Sequence, residues 1–507
     1  MATPLTSRSY TIPAPLGGWN ARDPLDLMPE TDAIVLDNLI PDTSTLRLRK
    51  GYRVHASGMG SSAVQSLLEY VDAAGTRRLL AGANGNIYNA STSSPSSLGS
   101  GYGSNKWQGV NFRDAGATSK MILVNGADTP KQYDGTSLTD ATYTGITTPA
   151  NLIAVTSHKS RLYFIEKDTD LIWYGDTLAS TGALTSFPVG SLLRRGGYPM
   201  TISTWSKETG AGADDLFVIT SSEGEILVYA GDDPSSNWAL TQRLAMPIPL
   251  GRRARGSLGA ESVILTEQGL VPLSSVSSIH DSSSTFTKLS DKISKAFISA
   301  VESYGATTQG WEVFAYPRAN LLLVNVPVLE GVSSQQFVMN TITGAWTRFT
   351  GINASCWCLF NNQPYFGGMD GKVYQWDYGY NDNGAAIAVA LRLAYNYCAD
   401  RERQKRFTLA RPLVTAAGDI QFAFSLDVDF NSSLTSDSIT VTGSTGSAWD
   451  ASPWDTSPWD SGNVYNQDWA SVTGLGRCAS LKLGGQYKDI GFDISAFHLS
   501  FETGGIF

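Results

Sequence analysis

Few side chains in this chain could do chemistry, and their spacing separates catalysis from packing. Cys356 and Cys358 flank Trp357 in the apolar run Cys356-Trp357-Cys358-Leu359-Phe360. On a strand both thiols point to one face. With no second cysteine pair and no histidine cluster, they read as small buried hydrophobes and not as zinc ligands. Cys398 and Cys478, and the histidines at 55, 158, 280 and 498, share no ligand spacing. No metal or other cofactor is expected. Gly367-Gly368-Met369-Asp370-Gly371-Lys372-Val373 has the outline of a phosphate loop, but no Ser or Thr follows Lys372 and the segment opens a strand where a helix is needed. There is no Gly-x-Ser-x-Gly nucleophile elbow. Asp427 and Asp429 share one side of a strand. A glycosidase needs two carboxylates, yet carboxylates so placed more commonly form a solvated face.

Other residues point to contacts. The clusters Arg252-Arg253-Arg255, Arg194-Arg195 and Arg401-Arg403-Lys405-Arg406 are compact and read as solvated or intersubunit ion-pair faces. Trp449, Trp454 and Trp459 recur in Trp449-Asp450-Ala451-Ser452-Pro453-Trp454-Asp455-Thr456-Ser457-Pro458-Trp459-Asp460, a spacing that fits neither helix nor strand. Such a loop presents large rings at low entropy cost, as a contact anchor does, or folds them back over its own domain. The candidate subunit-contact residues are therefore Trp449, Trp454, Trp459, Arg252, Arg253 and Arg255.

The elements that position these residues are strands. From about residue 60 an apolar strand, a turn with Gly or Asp, and a second strand ending in an aromatic recur, as in Leu79 to Tyr88, Ile122 to Tyr133, Leu162 to Tyr174, Leu216 to Tyr229, Val263 to Val271 and Gln363 to Trp376. Each is a β-hairpin whose turn residues supply positive φ. The spacing centres near the ~40–50 residues of propeller blades, and stacking in a ring buries faces that a lone hairpin leaves wet. Asn340-Thr341-Ile342-Thr343-Gly344-Ala345-Trp346 reads as a hairpin turn with its Trp packed between blades. One helix is expected, with Ile293, Phe297, Val301 and Tyr304 on one stripe, Ser290 or Asp291 as N-cap and Gly305 as stop. After Trp376-Asp377 the turn-rich Tyr378 to Gly384 marks a boundary, followed by alternating strands over Ile387 to Tyr395, Lys405 to Val414 and Ile420 to Phe430. The predicted fold is all-β: an irregular β-propeller of about six to eight blades (56–380), with an extended N-terminal arm (1–55) and a smaller C-terminal β domain (381–507) for subunit or adaptor contact.

Composition agrees with strands and tight turns. The 507 residues exceed the usual single domain. They include 50 glycines, 13 tryptophans and 21 tyrosines, with only 16% charged residues. The net charge of −9 argues against a protein that grips nucleic acid, because such affinity comes from Lys and Arg displacing counterions. No charged region followed by an apolar run opens the chain, and no apolar stretch is long enough to span a membrane. Synthesis and folding in a cytoplasm are expected.

The arm carries the most specific pattern. Gly17-Gly18-Trp19-Asn20-Ala21-Arg22-Asp23-Pro24 is followed by Met28-Pro29, Asp32-Ala33, Asp37-Asn38 and Leu46-Arg47-Leu48-Arg49-Lys50-Gly51-Tyr52. The glycines and prolines block helix. Leu46 and Leu48 alternate with Arg47 and Arg49, the period of a strand with one wet face. An arm of this kind needs other surface to pack on. In this order the segments resemble the opening of the tail nozzle, or tail hub, proteins of short-tailed bacteriophages, relatives of packaged-DNA stabilisation proteins. The run Tyr374-Gln375-Trp376-Asp377, Asp382-Asn383-Gly384 and Lys405-Arg406-Phe407 resembles that family's exit from its propeller.

The resemblance implies a structural, non-enzymatic virion protein located in the tail. It implies a homo-oligomeric ring, usually of six, that continues the channel of the portal and its adaptor, retains packaged DNA and lets it pass on infection. DNA would traverse the channel without sequence-specific binding. Tail fibres and the host envelope at the tip are further expected partners. The alternatives are a propeller glycan hydrolase or lyase, and a propeller that only binds a receptor sugar.

Overall fold

The structure, a computed structural model, describes residues 7–208, 213–259, 261–277, 287–305, 310–416, 418–431, 437–441, 464–465 and 468–504. Among these, seven antiparallel units follow one another. Blade 1 is Ser66–Val71, Arg77–Ala83, Asn86–Asn89 and Ser96–Ser100, and blade 2 is Gln108–Arg113, Ser119–Val124, Lys131–Tyr133 and Leu138–Asp140. Blade 3 is Leu152–His158, Arg161–Glu166, Leu171–Tyr174 and Thr185–Pro188, and blade 4 is Pro199–Glu208, Ala213–Ser221, Glu225–Ala230 and Ala239–Ala245. Blade 5 has three strands, Arg255–Leu258, Glu261–Thr266 and Gly269–Pro272. Its outer edge is capped by the segment entering the helix, where Leu289 N–H donates to Leu270 O and Ser290 Oγ accepts from Leu270 N–H. Blade 6 is Glu312–Tyr316, Leu321–Leu329, Ser333–Asn340 and Trp346–Phe349.

Blade 7 joins Ala354–Phe360, Gln363–Gly368 and Val373–Trp376 to a strand from the arm side of the chain, Tyr52–Ala56. The first strand of each blade lies against the next blade, and that of blade 7 returns to that of blade 1. The result is a closed seven-bladed β-propeller whose last blade is completed by the chain's own N-terminal side. Ring closure of this kind leaves only short, protected sheet edges. The hairpin turns use the left-handed residues expected of them, with φ of +50° at Asn84 and +71° at Gly85 in blade 1.

Strands from both ends of the chain build a second body. The sheet of blade 6 continues through Asp32–Asp37 into Ile387–Leu393, Ala479–Tyr487, Ile420–Val428 and Asp437–Val441. A facing sheet holds Lys405–Ala416 and Phe492–Thr503, with Ser7–Pro13 and Leu46–Leu48 on the latter and Leu39–Pro41 paired to Leu46–Leu48. The apolar faces of both sheets, with the helix Ser294–Tyr304, enclose one core that includes Leu36, Leu46, Phe297, Trp346, Phe424 and Phe497. Apart from Tyr52–Ala56, which completes blade 7, the arm's described strands are thus members of these two sheets.

The predicted helix forms, preceded by a 3-10 turn at Asp291–Ile293 and ending at Gly305, with Ile293 and Phe297 buried. Ser290 makes no capping hydrogen bond, its hydroxyl being engaged by blade 5. Trp346 does not pack between blades. It is fully buried beside the arm, where its backbone meets Gly18, and its Nε1 donates to Leu289 O at 2.9 Å.

Candidate functional site

The motif residues of the arm converge in two clamps. In the first, Asn20 and Asp32 are each 1% exposed. Asn20 Nδ2 donates to Asp32 Oδ2 and to Asp23 Oδ2, both at 2.8 Å, while its Oδ1 accepts the backbone N–H groups of Arg22 at 3.0 Å and Asp23 at 3.1 Å. Lys292 Nζ, from the start of the helix, donates to Asp32 Oδ1 at 3.0 Å and to Gly17 O at 2.9 Å. Arg22 pairs with Asp23 and Asp291. Chiefly the Arg22 hydrogen bond, then that of Asn20, pulls the Asp23 carboxyl down to about 2. Gly17 leaves the space this needs, since a Cβ there would lie 1.9 Å from Asp32 Oδ1.

The second clamp is centred on Arg49, which is fully buried. Its Nε donates to Asn38 Oδ1 at 2.7 Å, Nη1 to Lys50 O at 3.0 Å and Asp382 Oδ1 at 2.8 Å, and Nη2 to Thr350 O at 3.0 Å and Asp382 Oδ2 at 2.6 Å. All five guanidinium protons are used, and the pair with Asp382 is bidentate. Asn38, at φ +61°, also accepts Thr350 N–H and donates to Thr350 Oγ1 and Ala388 O. Asp37 holds Arg348 with two bonds of 2.7 Å. The expected wet face of the Leu46–Leu48 strand is wet only at Arg47. Arg49 turns inward because Asp382, Asn38 and two carbonyls await it.

The three predicted contact arginines lie between blades. Arg252 Nη1 donates to Met200 O of blade 4 at 3.2 Å, and Arg255 donates to Ser262 Oγ at 2.9 Å and to Thr204 O at 2.8 Å. Arg253 Nη2 reaches Trp107 O, next to blade 2, at 3.3 Å. Blades 2 and 5 are not neighbours in the ring, so this guanidinium spans the propeller axis. All three are half-buried, and these hydrogen bonds go to groups of this chain. Burial lowers the pKa of Arg252, and takes that of Arg255 down to about 10. Glu312, on the first strand of blade 6, accepts Trp357 N–H at 3.1 Å. Burial raises its pKa, against the opposing effects of Arg253 and that N–H.

Trp449, Trp454 and Trp459 lie outside the described residues. Asp427 is fully buried and not a solvated carboxylate, because Arg392 and Lys482 both reach its Oδ2 at 2.7 Å. Asp429 accepts the N–H groups of Arg477 and Cys478. The two aspartates therefore do not form a paired acid and base. Cys356 is buried with its Sγ 3.1 Å from Val64 O, and burial lifts its pKa to about 12. Among the described residues no three His, Cys, Asp or Glu side chains are grouped to hold a metal. Lys292 was not singled out by sequence reasoning, and Asp382 only as part of the Asp-Asn-Gly motif, with no partner assigned. Their partners are far away in the chain, and the one local signal for Lys292 was its place at the helix start.

No protein-family model and no curated protein matches the chain. Among solved structures it is similar to the extracellular domain of a B. thetaiotaomicron protein named as a hybrid two-component system, at 13% identity and a TM-score of 0.40 over 64% of this chain and 42% of that one. It is also similar to Chaetomium thermophilum Raptor, at 11% and 0.40 over 65% and 29%, and to Saccharomyces cerevisiae Sqt1, at 10% and 0.38 over 65% and 98%. The chain spans less than half of the first two. Likeness at these scores says nothing of function, and the propeller rests on its own strand order.

Proposed function

We propose that this chain is a structural subunit of a short phage tail, forming the nozzle or hub ring that continues the portal-adaptor channel, retains packaged DNA and releases it on infection. The observation that carries this reading is the use made of the arm motif. Asn20, Asp23, Asp32, Asn38, Arg49 and Gly51, on which the family resemblance rests, are spent on intrachain bonds that knit arm, propeller and C-terminal sheets into one body. A conduit that holds back packaged DNA needs rigid subunits, and its mechanism is assembly and gating with no bond chemistry.

The ring, usually of six copies, requires two different complementary patches on each subunit. DNA would run between subunits along the ring axis, since Arg253 bridges the propeller's own axis. The adaptor, tail fibres and, at the tip, the host envelope are the partners of this reading. Immunogold electron microscopy of particles from the source lysate, with an antibody raised against this chain, tests it. Gold at the end of a short tail is expected. Particles without label, when the same epitopes are accessible on free protein, would overturn the reading and direct attention to glycan cleavage and glycan binding.

A further inference from the structure

The first clamp has the parts of a self-crosslinking centre. We propose that Lys292 and Asn20 join in an intramolecular isopeptide bond, with Asp32 as the proton-transferring catalytic group. The proposal does not depend on the nozzle reading.

Asp32 bridges the two reactants, one carboxylate oxygen 3.0 Å from Lys292 Nζ and the other 2.8 Å from Asn20 Nδ2. The amine and the amide are thus held on one buried carboxylate, the kind of fixed approach that replaces a bimolecular encounter. Asn20 Oδ1 already accepts two backbone N–H groups, from Arg22 and Asp23. These donors are placed for the negative charge that develops on that oxygen when its carbon is attacked. Asp23 Oδ2, also 2.8 Å from Asn20 Nδ2, fixes the amide's rotamer. Gly17 O accepts a second bond from the lysine, at 2.9 Å.

The steps balance. Asp32 takes a proton from the Lys292 ammonium, and the freed amine attacks Asn20 Cγ to give a tetrahedral oxyanion. Asp32 passes its proton to the amide nitrogen and takes one from the attacking nitrogen. The Cγ–Nδ2 bond breaks as the Cγ–Nζ bond becomes an amide, and ammonia leaves with the proton from Asp32 as ammonium. One charged amine enters and one ammonium departs, so neither oxidant nor cofactor is required. The bond ties the arm to the foot of the helix and closes a loop through blades 1 to 5. An ion pair at the same place would open whenever the arm frayed.

The test uses the purified full-length chain. After incubation at neutral pH and denaturation, its intact mass is expected to fall below the sequence mass by one ammonia, and peptide mapping to yield a branched peptide joining residues 20 and 292. On a denaturing gel the looped chain should run ahead of the Lys292→Arg variant, which keeps a charge beside Asp32 but cannot form the bond. Asp32→Asn should also lack the branch. An unchanged mass in folded wild-type protein overturns the proposal. So does a loss of ammonia without the branched peptide, which marks a succinimide at one of the Asn-Gly steps, Asn84-Gly85, Asn125-Gly126 or Asn383-Gly384.

Discussion

Arg49 and Glu312 show how burial treats a charge that is paired and one that is less so. Arg49 has every donor satisfied and a bidentate carboxylate in Asp382. Removing one partner of such a pair costs about 3–5 kcal/mol, mostly because the other charge is left buried. The pair joins the arm's Arg-Lys-Gly-Tyr segment to the turn leaving the propeller, so its specificity is positional. Glu312 accepts from one backbone donor at 3.1 Å and, among the described residues, makes no ion pair as close as that of Arg49 with Asp382. Burial raises its folded pKa above the unfolded value. The folded state therefore binds that proton more tightly, and the stability this contributes is present at low pH and lost as pH rises through the folded pKa. Glu312→Gln keeps an acceptor for Trp357 N–H and removes the buried charge. It should raise the melting temperature at neutral pH, with the difference shrinking towards pH 4. Thermal unfolding of both proteins across that range checks this, and a variant less stable throughout would contradict it.

Among elements, the strand Tyr52–Ala56 has the largest consequence for its length. It completes blade 7 and follows directly on the buried Arg49, so propeller closure and arm docking share one stretch of backbone. Gly51 is the joint. A Cβ there would lie 1.8 Å from Asn381 O, and the Gly51 N–H donates to Gly379 O at 3.1 Å. Gly51→Ala is expected to push the two backbones apart at a cost of about 1–3 kcal/mol. Urea unfolding should show the loss of stability, and limited proteolysis should show earlier cleavage near residues 378–384. Wild-type behaviour in both would mean the joint has slack. The helix shows a different dependence. Its apolar stripe and its Gly305 stop were legible from spacing, whereas the role of Ser290 was not, because its hydroxyl is drawn to Leu270 N–H on the outer of the three described strands of blade 5.

At the scale of the whole molecule, the propeller axis is crossed by Arg253, and the arm is interleaved with the C-terminal strands. Any channel of the proposed ring belongs to the assembly. The Trp-Asp repeat is its candidate contact loop. Replacing Trp454 and Trp459 by Ala should leave the monomer's circular dichroism and melting unchanged while reducing incorporation into particles several-fold. Normal incorporation would remove the loop from the interface. By itself the sequence determined what depends on neighbours along the chain: the recurring hairpins, their left-handed turn residues, the helix stripe and the all-β class. Local backbone preference and apolar period carry that information. Only the tertiary structure decided that the blades number seven, that Tyr52–Ala56 closes the ring, that Arg252, Arg253 and Arg255 bind carbonyls of other blades, and that Asp427 is buried. It also brought Lys292 to Asp32 and Asp382 to Arg49. Such pairings join residues hundreds of positions apart, and no local period records which distant groups will meet when the sheets close.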